Sequence, residues 1–160
     1  MSSDEKKPLT ERVAAMLGKT TFRDVRNVRG GLAAHRLVDS DIAAALGIVQ
    51  TRRGDIVVKA METYYASTLV HEPELCREWD RRAQKPDYQS AVIDRTGAML
   101  ALRRFAGATY RQAELANYAW MIKARRAVLD EAIQRAHEWL QALLIQGNRD
   151  LLAVLGIRPK

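Results

Sequence analysis

The chain has 160 residues, 48% hydrophobic and 28% charged, with a single cysteine, a composition that excludes wholesale disorder and an internal disulfide. Its 26 Lys and Arg against 19 Asp and Glu leave a formal charge of +7, so an anionic partner is the first function class to weigh. No run approaches the ~18 apolar residues of a membrane span, and the polar start of the sequence lacks a signal-peptide core, so the expected setting is cytoplasmic with no membrane contact.

Residues 1–9 read as a flexible tail. Thr10 then caps a short helix over 11–17 that Gly18 stops, and Phe22, Val25 and Val28, spaced at three, predict a second over 21–29 that Gly30-Gly31 breaks. Leu32 to Val38 read as one or two further turns. Asp39, Ser40 and Asp41 are candidate caps for a helix through Ile42, Ala43 and Leu46 to Gly47. Thr51-Arg52-Arg53-Gly54 reads as a turn, and Asp55 as the cap of a helix over 56–71, on the spacing of Ile56, Val57, Ala60, Tyr64 and Leu69.

Pro73 suits the first turn of a helix reaching Ala83, with Glu72 and Glu74 beside its positive end. Lys85-Pro86-Asp87 is the clearest break, a candidate division near 84–87 between two subclusters of one helical domain spanning 10–160. Over 88–106 the apolar residues Val92, Ile93, Met99, Leu100, Leu102 and Phe105 point nearly all round a helix, which predicts a central, buried element. Residues 109–146 contain neither Gly nor Pro, and Ile122, Leu129, Ile133, Ala136, Leu140 and Leu144 recur at helical steps. This predicts one helix of roughly 50–55 Å at 1.5 Å per residue, ended by Gly147-Asn148, with a last short helix over 149–155. No segment alternates as a strand does. The expected fold is all-α: a compact multi-helix bundle with one long C-terminal helix over about 109–146 and no β-sheet.

No enzyme chemistry is indicated. His35, His71 and His137 are far apart in sequence, and the stretch from His71 to Cys76 lacks the second histidine of a helical zinc site. Cys76 has no histidine at a nucleophile's spacing, and no phosphate-cradling glycine loop follows a strand. The expectation is therefore no catalytic residue, no metal and no cofactor.

The charge is concentrated in four arginine pairs. Arg52 and Arg53 stand on a predicted turn after Asp41–Ile48, a segment that resembles the first half of a helix-turn-helix, in which small residues let two helices cross closely. The second half departs from that motif, with Arg53 at a position normally aliphatic and Gly54 inside the expected recognition helix. Arg77, Arg81 and Lys85 stack at four-residue steps, with Arg82 and Trp79 among them; Glu78 and Asp80 are local counter-charges. Lys123, Arg125 and Arg126 cluster on the long helix. Arg126 falls close to the Ile122–Ile133 stripe, so it needs either Asp130, four residues on, or an anionic groove. Arg103-Arg104, in the helix that is apolar all round, is read as structural.

The functional expectation is a basic, non-enzymatic protein that contacts the phosphate backbone of DNA or RNA through Arg52, Arg53, Arg77, Arg81, Arg82, Lys85, Lys123, Arg125 and Arg126. It would act as a subunit of a larger nucleoprotein assembly or as a regulator with a divergent helix-turn-helix. The alternative is a helical adaptor or scaffold, with Trp120, Tyr118 and Trp139 as anchors and the stripe from Ile122 to Leu144 as its partner or self-association surface.

Overall fold

Two helices of unequal length, apolar where they meet, form the middle of the molecule. In the computed structural model, which describes residues 39–156, they are the fourth and sixth of six consecutive helices, with no strand among the described residues. The helices are α1 (Asp39–Arg53), α2 (Asp55–Tyr65), α3 (Glu72–Ala83), α4 (Tyr88–Phe105), α5 (Gln112–Met121) and α6 (Arg126–Val154). The expected tail, the short helices over 11–17 and 21–29, the Gly30-Gly31 break, the turns over 32–38 and His35 all lie outside the described residues.

The all-α bundle with a long C-terminal helix is observed, and several boundaries differ from those read in the sequence. α1 does not stop at Gly47 but runs on to Arg53, so no helix-turn-helix corner forms there, and Arg52 and Arg53 occupy its last turn. The reversal comes at Gly54, whose N–H donates to Gln50 O at 2.8 Å and whose φ of 88° is one that glycine adopts without strain. α2 ends at Tyr65 rather than near His71. Ser67 is left-handed, with φ 49°, and the Thr68 hydroxyl accepts from the Val70 N–H, a local bond that competes with helix. Leu69 and Val70 are exposed on that loop. Pro73 sits in the first turn of α3 as expected. The Lys85–Asp87 break separates α3 from α4, and Asp87 caps α4 by accepting from the Ser90 N–H at 2.8 Å and the Ser90 hydroxyl at 2.7 Å.

The predicted helix over 109–146 is two helices. α5 closes with Lys123 N–H donating to Trp120 O at 3.0 Å and Ala124 N–H to Ala119 O at 2.9 Å, the paired bonds that end a helix on a left-handed residue. That residue is Lys123, with φ 53°. The same pattern ends α4 at Gly107, where the residue is glycine with φ 103°. α6 then runs 29 residues, about 43 Å, straight through Gly147-Asn148. Gly147 does not break it, because that position faces the side chains of Met61 and Val57, where a Cβ would not fit.

α4 and α6 meet at Gly97 and Ala132, where the missing side chain lets the two backbones approach closely. Around this contact Ala98, Leu100, Ala101, Leu102 and Phe105 of α4 and Leu129, Ile133, Ala136, Leu140 and Leu144 of α6 are all buried. α2 and α1 cover the carboxy-terminal half of α6. Met61 packs on Gly147, the Tyr65 hydroxyl donates to Asn148 Oδ1 at 2.8 Å, and Arg53 reaches Asp150. Ion pairs from Glu72 to Arg103 and from Asp80 to Arg95 fasten α3 along α4, across the Lys85–Asp87 break.

Candidate anion-binding surface

The first question at each basic residue is whether a carboxylate already neutralises it. At five of the nine sequence candidates one does. Arg53 Nε donates to Asp150 Oδ2 at 2.6 Å. Arg81 and Arg82 converge on Glu78, Arg82 at 2.9 Å, and the Arg82 guanidinium lies 6.0 Å from the Trp139 ring centroid. Lys85 Nζ stands 3.2 Å from Asp94 Oδ2, an ion pair whose angle makes no hydrogen bond. Arg126 donates to Asp130 Oδ1 at 2.9 Å and, through its two terminal nitrogens, to the backbone and side-chain oxygens of Gln112. Arg126 is thus not a cation projecting from an apolar seam: it lies in the first turn of α6 and locks that turn onto the start of α5.

The tryptophans sort in the same way. Trp79 and Trp139 are half-buried and packed on each other, with ring centroids 5.4 Å apart, so Trp139 is a core-edge residue rather than a partner anchor. Of the stripe from Ile122 to Leu144, offered by the adaptor reading as a surface, Leu129, Ile133, Ala136, Leu140 and Leu144 are buried within the chain against α4 and α2, and Ile122 is half-buried against the core. Arg103 is neutralised by Glu72, with both contacts at 3.2 Å, as a structural role requires, while Arg104 is exposed.

Sequence reasoning missed Asp94. It is 4% exposed and holds two cations, Arg135 at 2.7 Å and Lys85 at 3.2 Å, which joins α4, α6 and the segment after α3. Asp94 is the one acidic residue of a helix apolar nearly all round, and a buried carboxylate there had to find a cation. Its partner Arg135, 41 residues away, could not be read from spacing.

Four candidates remain without a carboxylate among the described residues: Arg52 on α1, Arg77 on α3, and Lys123 and Arg125 between α5 and α6, all exposed. The last two share one short turn. Beside them Trp120 is 81% exposed and Met121 69%, two adjacent large apolar side chains open to solvent. Arg125 is the N-cap of α6 and makes no side-chain cap, so the first N–H groups of a 29-residue helix open onto the same turn. The turn is braced from α4, where Gln89 Nε2 donates to Ile122 O at 2.6 Å, and the neighbouring Tyr88 is also exposed. A hydrogen-bonded turn, two cations without a carboxylate among the described residues and an exposed indole thus fall within six residues of sequence.

On a flank of α5, Tyr110, Glu114, Asn117, Tyr118 and Met121 line an open cavity of about 310 Å³. Tyr110 and Tyr118 meet edge to face at 6.3 Å. Burial raises the Tyr110 hydroxyl pKa, and the nearby Arg103 partly counters the shift. Glu114, one of the lining residues, turns back to accept from the Arg111 N–H at 2.6 Å. Cys76 is half-buried, its thiol pushed up to about 11 by burial and by Glu72 and Asp80. No group of three or more His, Cys, Asp or Glu suited to a metal ion occurs among the described residues, and no helix there is long and apolar enough to cross a membrane.

Fold and surface together define a helical bundle in which five of the nine candidate cations hold carboxylates, while two of the other four share one inter-helix turn. Comparison with protein-family models, with curated proteins and with solved structures finds no match.

Proposed function

We propose that this chain binds nucleic acid through the phosphate backbone, chiefly from the α5–α6 turn. One observation carries the reading: Lys123 and Arg125 are exposed and hold no carboxylate among the described residues, near an exposed tryptophan in sequence and at the positive end of α6. Arg52 and Arg77 add further phosphate contacts at more distant points. Arg53, Arg81, Arg82, Lys85 and Arg126 already hold carboxylates and contribute at most screened charge. Four such phosphate contacts give modest affinity at physiological salt, which fits a subunit whose neighbours in a nucleoprotein assembly supply the remaining contacts.

The test is a titration with random-sequence DNA and RNA at several salt concentrations. Four phosphate contacts give a log–log salt slope of about −3, and replacing Lys123 and Arg125 by Ala reduces its magnitude by about 1.4–1.8. Absence of binding at ~50 mM salt refutes the proposal. The adaptor reading survives in a narrower form, because exposed Trp120 and Met121 adjoin the α5 cavity. It calls for a protein partner whose affinity changes little with salt.

A further inference from the structure

We infer that the α5–α6 turn selects single-stranded over duplex nucleic acid, with Trp120 as a stacking platform for an unpaired base and Lys123 and Arg125 on the flanking phosphates. This rests on the nucleic-acid reading above and adds the class of strand. Among the three tryptophans Trp120 alone presents its ring to solvent, since Trp79 and Trp139 pack on each other. A duplex keeps its base faces stacked internally and offers only edges and phosphates, so an exposed indole gains little from it; an unpaired base has a free face to give.

Placement favours the same occupant. Lys123 N–H bonds to Trp120 O, so the backbone that carries the cation is fixed three residues from the one that carries the exposed indole. Arg125 follows two residues later at the opening of α6. An apolar protein partner would have to bury these two unpaired cations against Trp120, and lysine is depleted from the cores of such interfaces. A single strand sets a phosphate beside each base and meets both needs at once.

The experiment measures binding of the full-length chain to fluorescent oligo-dT, oligo-U and a DNA duplex of equal length at ~50 mM salt, with Trp120→Ala, Trp120→Phe and Lys123→Ala/Arg125→Ala variants. Losing one stacked base weakens single-strand binding about five- to 150-fold. Trp120→Ala is expected to show that loss on dT or U with duplex binding unchanged, and Trp120→Phe to recover part of it. Tryptophan emission of the wild type should fall when the strand binds, and that fall should vanish in Trp120→Phe. Equal affinity for single strand and duplex, insensitive to Trp120→Ala, overturns the inference while leaving backbone binding intact. Failure to bind any nucleic acid overturns both, and equal competition by poly-glutamate overturns strand recognition in favour of an acidic protein partner.

Discussion

Gly97→Ala tests the closest approach in the fold. A Cβ built on Gly97 would lie 2.7 Å from Ala132 Cβ, 2.8 Å from the Ala132 carbonyl carbon and 3.0 Å from Ile133 N. Two of those atoms are backbone of α6, so no rotamer change relieves the contact and the helices themselves must separate. Alanine regains up to ~1 kcal/mol of helix propensity, whereas overpacking a well-filled core costs about 1–3 kcal/mol or more, the upper end applying where backbone must move. Separation also loosens the burial of Ala101, Ile133 and Ala136 along the same seam. The net expectation is a destabilisation of about 1–3 kcal/mol, or roughly 2–12 °C in Tm for a domain of this size. The control is Gly47→Ala, also inside a helix, where nothing lies within 4 Å of the added carbon; it should stabilise by up to ~1 kcal/mol. Urea and thermal unfolding followed by circular dichroism read both. If Gly97→Ala is as stable as wild type, the α4–α6 contact is not limited by backbone, and the account of the central pair fails.

Asp94→Ala leaves Lys85 and Arg135 facing a buried gap, and because both cations keep partial access to water the expected loss is about 1–3 kcal/mol in urea unfolding, below that for a fully buried pair. Lys123→Gly should stabilise the fold by about 1 kcal/mol by removing left-handed strain while weakening nucleic-acid binding, a pairing of opposite effects that a purely structural lysine would not give. With its thiol pushed up to about 11, Cys76 should alkylate at pH 7.5 about a hundredfold more slowly than an unperturbed cysteine, its rate still rising with pH above 9. Asp87 titrates below the usual aspartate range because the Ser90 N–H and hydroxyl bond its charged form. Since the folded-state value is depressed, its contribution is present above the ordinary aspartate pKa and lost as pH falls through the folded one; Tm measured from pH 6 to 3 should drop less steeply in Asp87→Asn than in wild type.

Much of this architecture was legible because apolar spacing reports helices directly: α3 and α4 lie nearly where Pro73, Asp87 and the run to Phe105 placed them. What failed were boundaries set by geometry that the sequence disguises. Lys123 ends α5 in a conformation normally held by glycine, so the stretch over 109–146 gave no break signal, whereas Gly147, a nominal breaker, sits inside α6 to admit Met61. The candidate surface was legible only as a list of cations. Which were neutralised depended on partners such as Asp150 for Arg53, 97 residues away, and Asp94 for Arg135. Pairs within one helix turn, Arg126 with Asp130 and Arg81 and Arg82 with Glu78, could be read from spacing.

The two turns that end α4 and α5 have the same pair of closing hydrogen bonds but different residues at the left-handed position. Gly107 fills the first without strain, and Lys123 fills the second at a cost of about 1 kcal/mol. In a protein whose total stability is ~5–15 kcal/mol, that is not negligible. The two closing bonds and the Gln89 brace on Ile122 O hold Lys123 there, while its side chain is exposed and makes no ion pair among the described residues. Moving the cation one residue along the chain would not serve equally, because position 124 is half-buried and position 122 packs on the core. Within this turn, position 123 keeps a cation in solvent three residues from Trp120, where the proposed anionic strand would meet it.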